Sequence, residues 1–165
     1  MADNSSDNEK IDFVIPWVDG SDPEWLKERN AVSSEGGCGS DSLKNGDSIE
    51  DNSGARYYSW DNLQYWFRGV EKFAPWVNKI HFVTWGHIPP WMNTDAPKLH
   101  IVNHKDYIPE QFLPTFNSNT IELNFHRIEG LSEKFVYFND DVFLLKPAAK
   151  EDFFRNGRPR DMLAF

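Results

Sequence analysis

Three short stretches hold residue types able to do chemistry. In "FVYFNDDVFLL", residues 135–145, the apolar run Phe135–Phe138 ends in Asn139, Asp140 and Asp141 before apolar residues resume. Adjacent carboxylates raise the cost of ionising one another, and a divalent cation relieves that cost. Mg²⁺ in particular is held by one or two carboxylates together with substrate phosphates. The alternative is a solvated turn, which Asn and Asp favour for backbone reasons alone. The flanking apolar runs favour the metal reading, because a solvated turn needs no deeply buried strand before it.

The second stretch is "WVDGSD", residues 17–22. Gly20 lets the backbone approach a ligand closely, Asp19 suits a ribose hydroxyl or a metal, and Trp17 can cover a base. The alternative is a tight turn leading into a helix, with Asp22 as N-cap and Pro23 in the first turn. The third is Glu122, His126 and Arg127. Residues four apart share a helix face, Arg suits bidentate phosphate binding, and His is poised for proton transfer near neutral pH. An ordinary surface Glu–His pair is the competing reading. His81, His87, His100 and His104 lack zinc-site spacing and read as strand and loop residues.

The elements that must position these groups are legible as a pattern. Ile11, Phe13 and Ile15 alternate with Asp12 and Val14 and predict a short strand stopping at Pro16-Trp17-Val18. Leu63, Trp66, Phe67, Val70 and Phe73 or Ala74 follow helical spacing, with Ser59 or Asp61 as cap and Pro75 as stop. Trp60 and Trp66 are assigned to the packing face of that helix or its entry. "KIHFVTWG" and "KLHIVNH" predict two further strands. "NSNTIELNFHRIEGL" predicts a helix with Ile121, Phe125 and Ile128 as its buried stripe, Asn119 as cap and Gly130 at its C-terminal end. A last strand is expected in "KFVYFNDDVFLL". Strand, helix, strand, strand, helix, strand is the order of an α/β sheet with helices packed on it. Ligands then bind beyond the carboxyl ends of the strands, and parallel strands would bring both acidic clusters to one rim.

Composition narrows the classes. With seven Trp and thirteen Phe the chain is no disordered segment, and one cysteine, Cys38, excludes an internal disulfide framework. Residues 1–55 hold 13 acidic and 4 basic side chains, whereas residues 56–165 hold 13 of each. A balanced body without a basic stripe argues against a nucleic-acid binder. No signal peptide is recognisable in "MADNSSDNEK", and no apolar stretch has transmembrane length. The expected organisation is a disordered start over residues 1–10 and one α/β domain over 11–165, with a Ser/Gly/Asp/Asn-rich flexible insertion at 31–55.

Assembled, these runs resemble the Stealth family, which comprises bacterial capsular-polysaccharide sugar-1-phosphate transferases and the animal N-acetylglucosamine-1-phosphotransferase. "IDFVIPWVDGSDPEW" looks like its first motif block. "RYYSWDNLQYWFRGVEKFAPWVNKIHFVTWGHIPPWMN" and "HIVNHKDYIPEQFLPTFNSNTIELNFHRIEGLSEKFVYFNDDVFL" look like its second. The resemblance implies a Rossmann-like or glycosyltransferase-A-like α/β catalytic domain. It implies transfer of a sugar-1-phosphate from a UDP-sugar to a glycan hydroxyl with release of UMP, and a divalent cation, Mg²⁺ or Mn²⁺. It implies that Trp17, Asp19, Gly20 and Asp22 lie near the nucleotide, and Asn139, Asp140 and Asp141 near the metal and diphosphate. Glu122, His126 and Arg127 would face the same pocket, with Arg127 on the transferred phosphate and His126 taking the acceptor proton. Family members continue into two further blocks carrying more His and Arg, so the expectation is an incomplete catalytic domain. The expected location is a bacterial cytoplasm, membrane-associated or not, or the secretory lumen for an animal source. A conventional metal-dependent glycosyltransferase and a non-catalytic nucleotide-sugar or glycan-binding fragment are the competing functions.

Overall fold

The computed structural model describes residues 10–35 and 60–160; residues 1–9 and 36–59, including most of the expected insertion and Cys38, lie outside them. Strand β1 (Ile11–Trp17) is followed by helix α1 (Pro23–Glu35), helix α2 (Leu63–Phe73) and strands β2 (Ile80–Thr84) and β3 (Leu99–Asn103). Short helices α3 (His104–Tyr107) and α4 (Ser118–Leu123) lead to strand β4 (Lys134–Tyr137). Helix α5 (Lys150–Phe153) and the small hairpin β5 (Phe154–Arg155) and β6 (Arg158–Pro159) close the described chain.

β1 to β4 form one parallel sheet in the order β3-β2-β1-β4. Burial on both faces is what a parallel sheet requires, and β1 shows how its sequence achieves it. Phe13 and Ile15 point to one face, where they meet Leu63, Trp66, Val70 and Ala74 of the α2 side together with Phe82 and Phe138. Val14 points to the other, against Val83, Val102, Tyr107, Ile108, Phe125 and Ile128. The period of two along the strand thus feeds two cores. The α2 stripe expected from spacing is the one buried; Trp66 is 1% exposed, whereas Trp60 is 77% exposed.

Four expectations need correction. Asn62, not Ser59 or Asp61, occupies the N-cap of α2. α1 continues to Glu35, so the first residues of the segment read as a flexible insertion are helical. β4 is the edge of the sheet, half-buried with Tyr137 exposed, and full burial returns only at Phe138, whose N–H reaches Val14 O (2.9 Å). The helix expected through Gly130 stops at Leu123. Its cap is Asn117, which accepts from Asn119 and Thr120 N–H groups. Asn124 Nδ2 reaches back to Thr120 O (2.8 Å), a side-chain bond that competes with helix continuation. The chain then tightens into a 3₁₀ turn over Phe125–Arg127. Phe125 and Ile128 are still buried, but Glu122 and His126 no longer share a helical face.

A carboxylate-rimmed cleft at the ends of the strands

β1 and β4 are parallel neighbours, with Val14 opposite Tyr137, so their carboxyl ends open on one rim. A cleft of about 440 Å³ lies there, a size suited to a small-molecule ligand. Pro16 and Trp17 of β1 and Val18 just after it line the cleft, together with Trp25 and Phe116 and the polar residues Glu122, Tyr137, Asn139, Asp140 and Asp141. Trp25 and Phe116 meet edge to face at 5.5 Å, which fixes the apolar wall. Among the described residues, no Lys or Arg lines the cleft.

Asn139–Val142 is a turn closed by Val142 N–H to Asn139 O (3.1 Å), with Asp140 and Asp141 at its centre. Turn and site are therefore one feature, and the two sequence readings are not exclusive. Burial of its carboxyl and then the Asp141 charge hold Asp140 above the usual carboxylate range. Tyr137 donates to Glu122 Oε1 (3.0 Å) and also meets the Asn139 side-chain amide. Both contacts are from the phenol hydroxyl to an oxygen, Glu122 Oε1 and Asn139 Oδ1, and its single proton serves one of them at a time. Burial, then Glu122, Asp140 and Asp141, push the Tyr137 phenol far above its usual range, so it remains a donor.

The loop after β1 is held by the imidazole of His87. Asp19 N–H donates to His87 Nε2 (2.7 Å), and the ring edge packs on Trp17 at 5.2 Å. Burial keeps His87 below its ordinary pKa, as an acceptor nitrogen must be. Asp19–Asp22 is a tight turn with Gly20 and Ser21 at its centre. Asp22 caps α1, accepting from Glu24 and Trp25 N–H groups (both 2.9 Å). Asp19 accepts from Ser21 N–H (2.9 Å) and Oγ–H (2.6 Å), and the side-chain bond leads in lowering its pKa.

Of the residues singled out in the sequence, Trp17, Glu122, Asn139, Asp140 and Asp141 converge on the cleft. Asp19 lies on the same rim but faces a second cavity across Trp17, and Gly20 and Asp22 line neither. His126 and Arg127 are exposed, with His126 Nδ1 against Leu123 O (2.9 Å). They do not line the cleft, which corrects the expectation that they face it; the break at Asn124 is the reason. Sequence reasoning missed Tyr137, Trp25, His104 and the Thr115–Ser118 segment. Tyr137 was findable, because strand alternation puts it on the same side as Asn139. His104 was not: it is buried, and burial drops its pKa to about 4.

The donor set facing the cleft is hard oxygen, as Mg²⁺ or Mn²⁺ prefers. Among the described residues no three His, Cys, Asp or Glu side chains converge to hold an ion by themselves. The clusters at Asp19 and Asp140 therefore do not merge into one cage. A carboxylate pair that shares its ion with substrate phosphates fits what is present.

Comparison with known proteins gives a consistent result. The model for Stealth protein CR2, conserved region 2, matches residues 56–161, and that for Stealth protein CR1, conserved region 1, matches residues 9–37. Capsular polysaccharide phosphotransferase WcwK of Streptococcus pneumoniae is 48% identical over 153 residues, covering 93% of this chain and 43% of the relative. Capsular polysaccharide phosphotransferase CpsJ of Streptococcus thermophilus is 45% identical, covering 91% and 60%. Receptor polysaccharide phosphotransferase WefC of Streptococcus gordonii is 47% identical, covering 94% and 45%. The chain spans about half the length of the curated relatives it matches.

Proposed function

Because this chain belongs to the Stealth family, we propose that it transfers a sugar-1-phosphate from a UDP-sugar to a sugar hydroxyl in bacterial capsular or exopolysaccharide synthesis. The observation that carries this reading is the cleft, where paired carboxylates stand at the strand ends with no Lys or Arg among the described residues that line it. A nucleotide diphosphate cannot dock against that surface unless its charge is offset.

Asp140 and Asp141 would hold a divalent cation, which would supply that offset by reducing charge on the diphosphate and on the UMP leaving group. The chain's own groups do the rest. Trp17 and Phe116 give the cleft apolar walls against which a uracil ring can lie. The acceptor oxygen attacks the phosphorus that carries the sugar, the bond from that phosphorus to the UMP oxygen breaks, and UMP leaves with the electron pair. The hydroxyl proton goes to Glu122, the cleft carboxylate that Tyr137 holds in place. Because His126 and Arg127 do not line the cleft, neither is given a step. Every relative cited is streptococcal, which favours a bacterial cytoplasmic setting; among the described residues no helix is long and apolar enough to cross a membrane.

Product analysis tests the reading. With a UDP-sugar, an oligosaccharide acceptor and Mg²⁺, UMP and a phosphodiester ³¹P resonance are expected. UDP with a new glycosidic bond would make this a conventional glycosyltransferase, and donor binding without either product would leave a binding fragment.

A further inference from the structure

Across Trp17 from the cleft lies a second cavity, lined by Trp17, Asp19, Asp61, Leu63, Pro89, Pro90 and Trp91. Its surface is chemically unlike the cleft. Trp91 is 42% exposed, and its ring is pinned edge to face on Phe67 at 6.0 Å, with Phe67 in turn packed on Trp66 and Phe82. An exposed indole held rigid by aromatic neighbours is a platform that costs little entropy to use. Buried Pro89 and the following Pro90 fix the backbone that presents it. Asp19 places one oxygen on both Ser21 donors and keeps Oδ2 for another partner. Asp61 stands among the same lining residues with a left-handed backbone (φ 52°), a conformation Asp tolerates better than most residues.

The chemistry of the walls selects the ligand. Among the described residues the lining holds two carboxylates and no Lys or Arg, a composition that disfavours a phosphate. Asp19 is stabilised by its own hydrogen bonds, so it does not call for a metal as the adjacent pair in the cleft does. A neutral ring with one apolar C–H face and several hydroxyl donors satisfies both halves of the surface: the face packs on indole and the hydroxyls donate to carboxylates.

We propose that this cavity binds a neutral pyranose of the acceptor glycan, with Trp91 as the stacking platform and Asp19 Oδ2 as a hydroxyl acceptor. The assignment to the acceptor rests on the proposed transferase function. A two-substrate transfer needs adjoining subsites, and Trp17 is the wall the two cavities share.

The probes are methyl pyranosides (methyl β-glucoside, methyl β-galactoside and methyl β-N-acetylglucosaminide), titrated into the full chain and followed by saturation-transfer NMR and indole fluorescence. At least one should bind in the millimolar range through its ring protons. Trp91→Ala should weaken it about tenfold or more, the equivalent of losing one aromatic contact. Trp91→Phe should recover part of the loss, and Asp19→Asn should weaken binding less. UDP-sugar binding with Mg²⁺ should be unchanged in Trp91→Ala, and the Trp91→Phe and Asp19→Asn variants keep the test valid if that variant fails to fold. No binding of any pyranoside, equal binding by folded Trp91 variants, or UMP as the ligand sensed by Trp91 would overturn the proposal. If Trp91-dependent sugar binding stands while UMP is never released, the saccharide site survives and the transferase reading falls.

Discussion

The parallel sheet carries aspartates at both ends and treats them in opposite ways. Where the strands begin, Asp12 is wholly buried and receives Asn78 Nδ2 (2.7 Å), Lys79 N–H (3.0 Å), His81 Nε2 (3.0 Å) and Ser132 N–H (2.8 Å). Burial pushes its pKa up, and the bonds from His81, Asn78 and Ser132 more than offset this, bringing it to about 2. His81 Nδ1 meets His100 Nδ1 (3.0 Å), so the network ties β1, β2, β3 and the approach to β4. Where the strands end, Asp140 is pushed up by desolvation and by Asp141, and among the described residues no Lys or Arg lines the cleft to answer it. A buried charge that the chain compensates itself is a structural joint. An exposed rim carboxylate held up by partial desolvation and a like-charged neighbour is left for something outside the chain to compensate, and it marks a binding site.

The largest expected effect is on the compensated side. Asp12→Ala strands several buried donors and should cost about 3–5 kcal/mol, measured by urea unfolding; a loss below ~1 kcal/mol would break the contrast. Next comes acid. His104 falls from 6.5 to about 4 on folding, so the unfolded chain binds its proton first as pH drops. Stability should be complete above about pH 6.5 and decline toward pH 4 by about 3 kcal/mol, a slope that His104→Gln should flatten. Asp12 has the same sign in a lower window: its folded pKa of about 2 lies below the unfolded 3.8. Its contribution, about 2.5 kcal/mol, is present above pH 4 and lost as pH falls to 2; an acid limb identical in Asp12→Asn would contradict this.

Smaller effects sharpen the rim. Tyr137→Phe removes one hydrogen bond and should cost about 1 kcal/mol of stability, while lowering turnover more than it weakens donor binding if Tyr137 positions Glu122. Comparing kcat with Kd for the UDP-sugar checks this, and equal falls in both would assign Tyr137 to binding instead. Smallest of all, His126→Ala and Arg127→Ala should each change stability by less than about 0.5 kcal/mol and leave donor affinity where it was. A large loss of donor binding in either would restore the role that the sequence suggested.

What was legible in the sequence was whatever rests on local repetition. β1, β2, β3 and the α2 stripe follow from periods of two and 3.6, the Asp22 cap from its place before Pro23, and the common rim from strand order. What was not legible depends on partners far along the chain. Asp12 looks like one polar residue in an alternating strand, and its role needs Asn78, Lys79 and Ser132. His126 and Arg127 were aligned with Glu122 on a helix that Asn124 ends, a competition between side chain and backbone that spacing does not register. β4 reads as a buried run, yet being last in the sheet order makes it an edge.

One titration bears most directly on the rim as a site for an external cation. Calorimetry of a UDP-sugar into the full chain, with and without Mg²⁺, should show binding that depends on the metal. The double variant Asp140→Asn/Asp141→Asn should lose that binding while unfolding at an unchanged urea midpoint. Undiminished, metal-independent donor binding by the folded double variant would contradict the account.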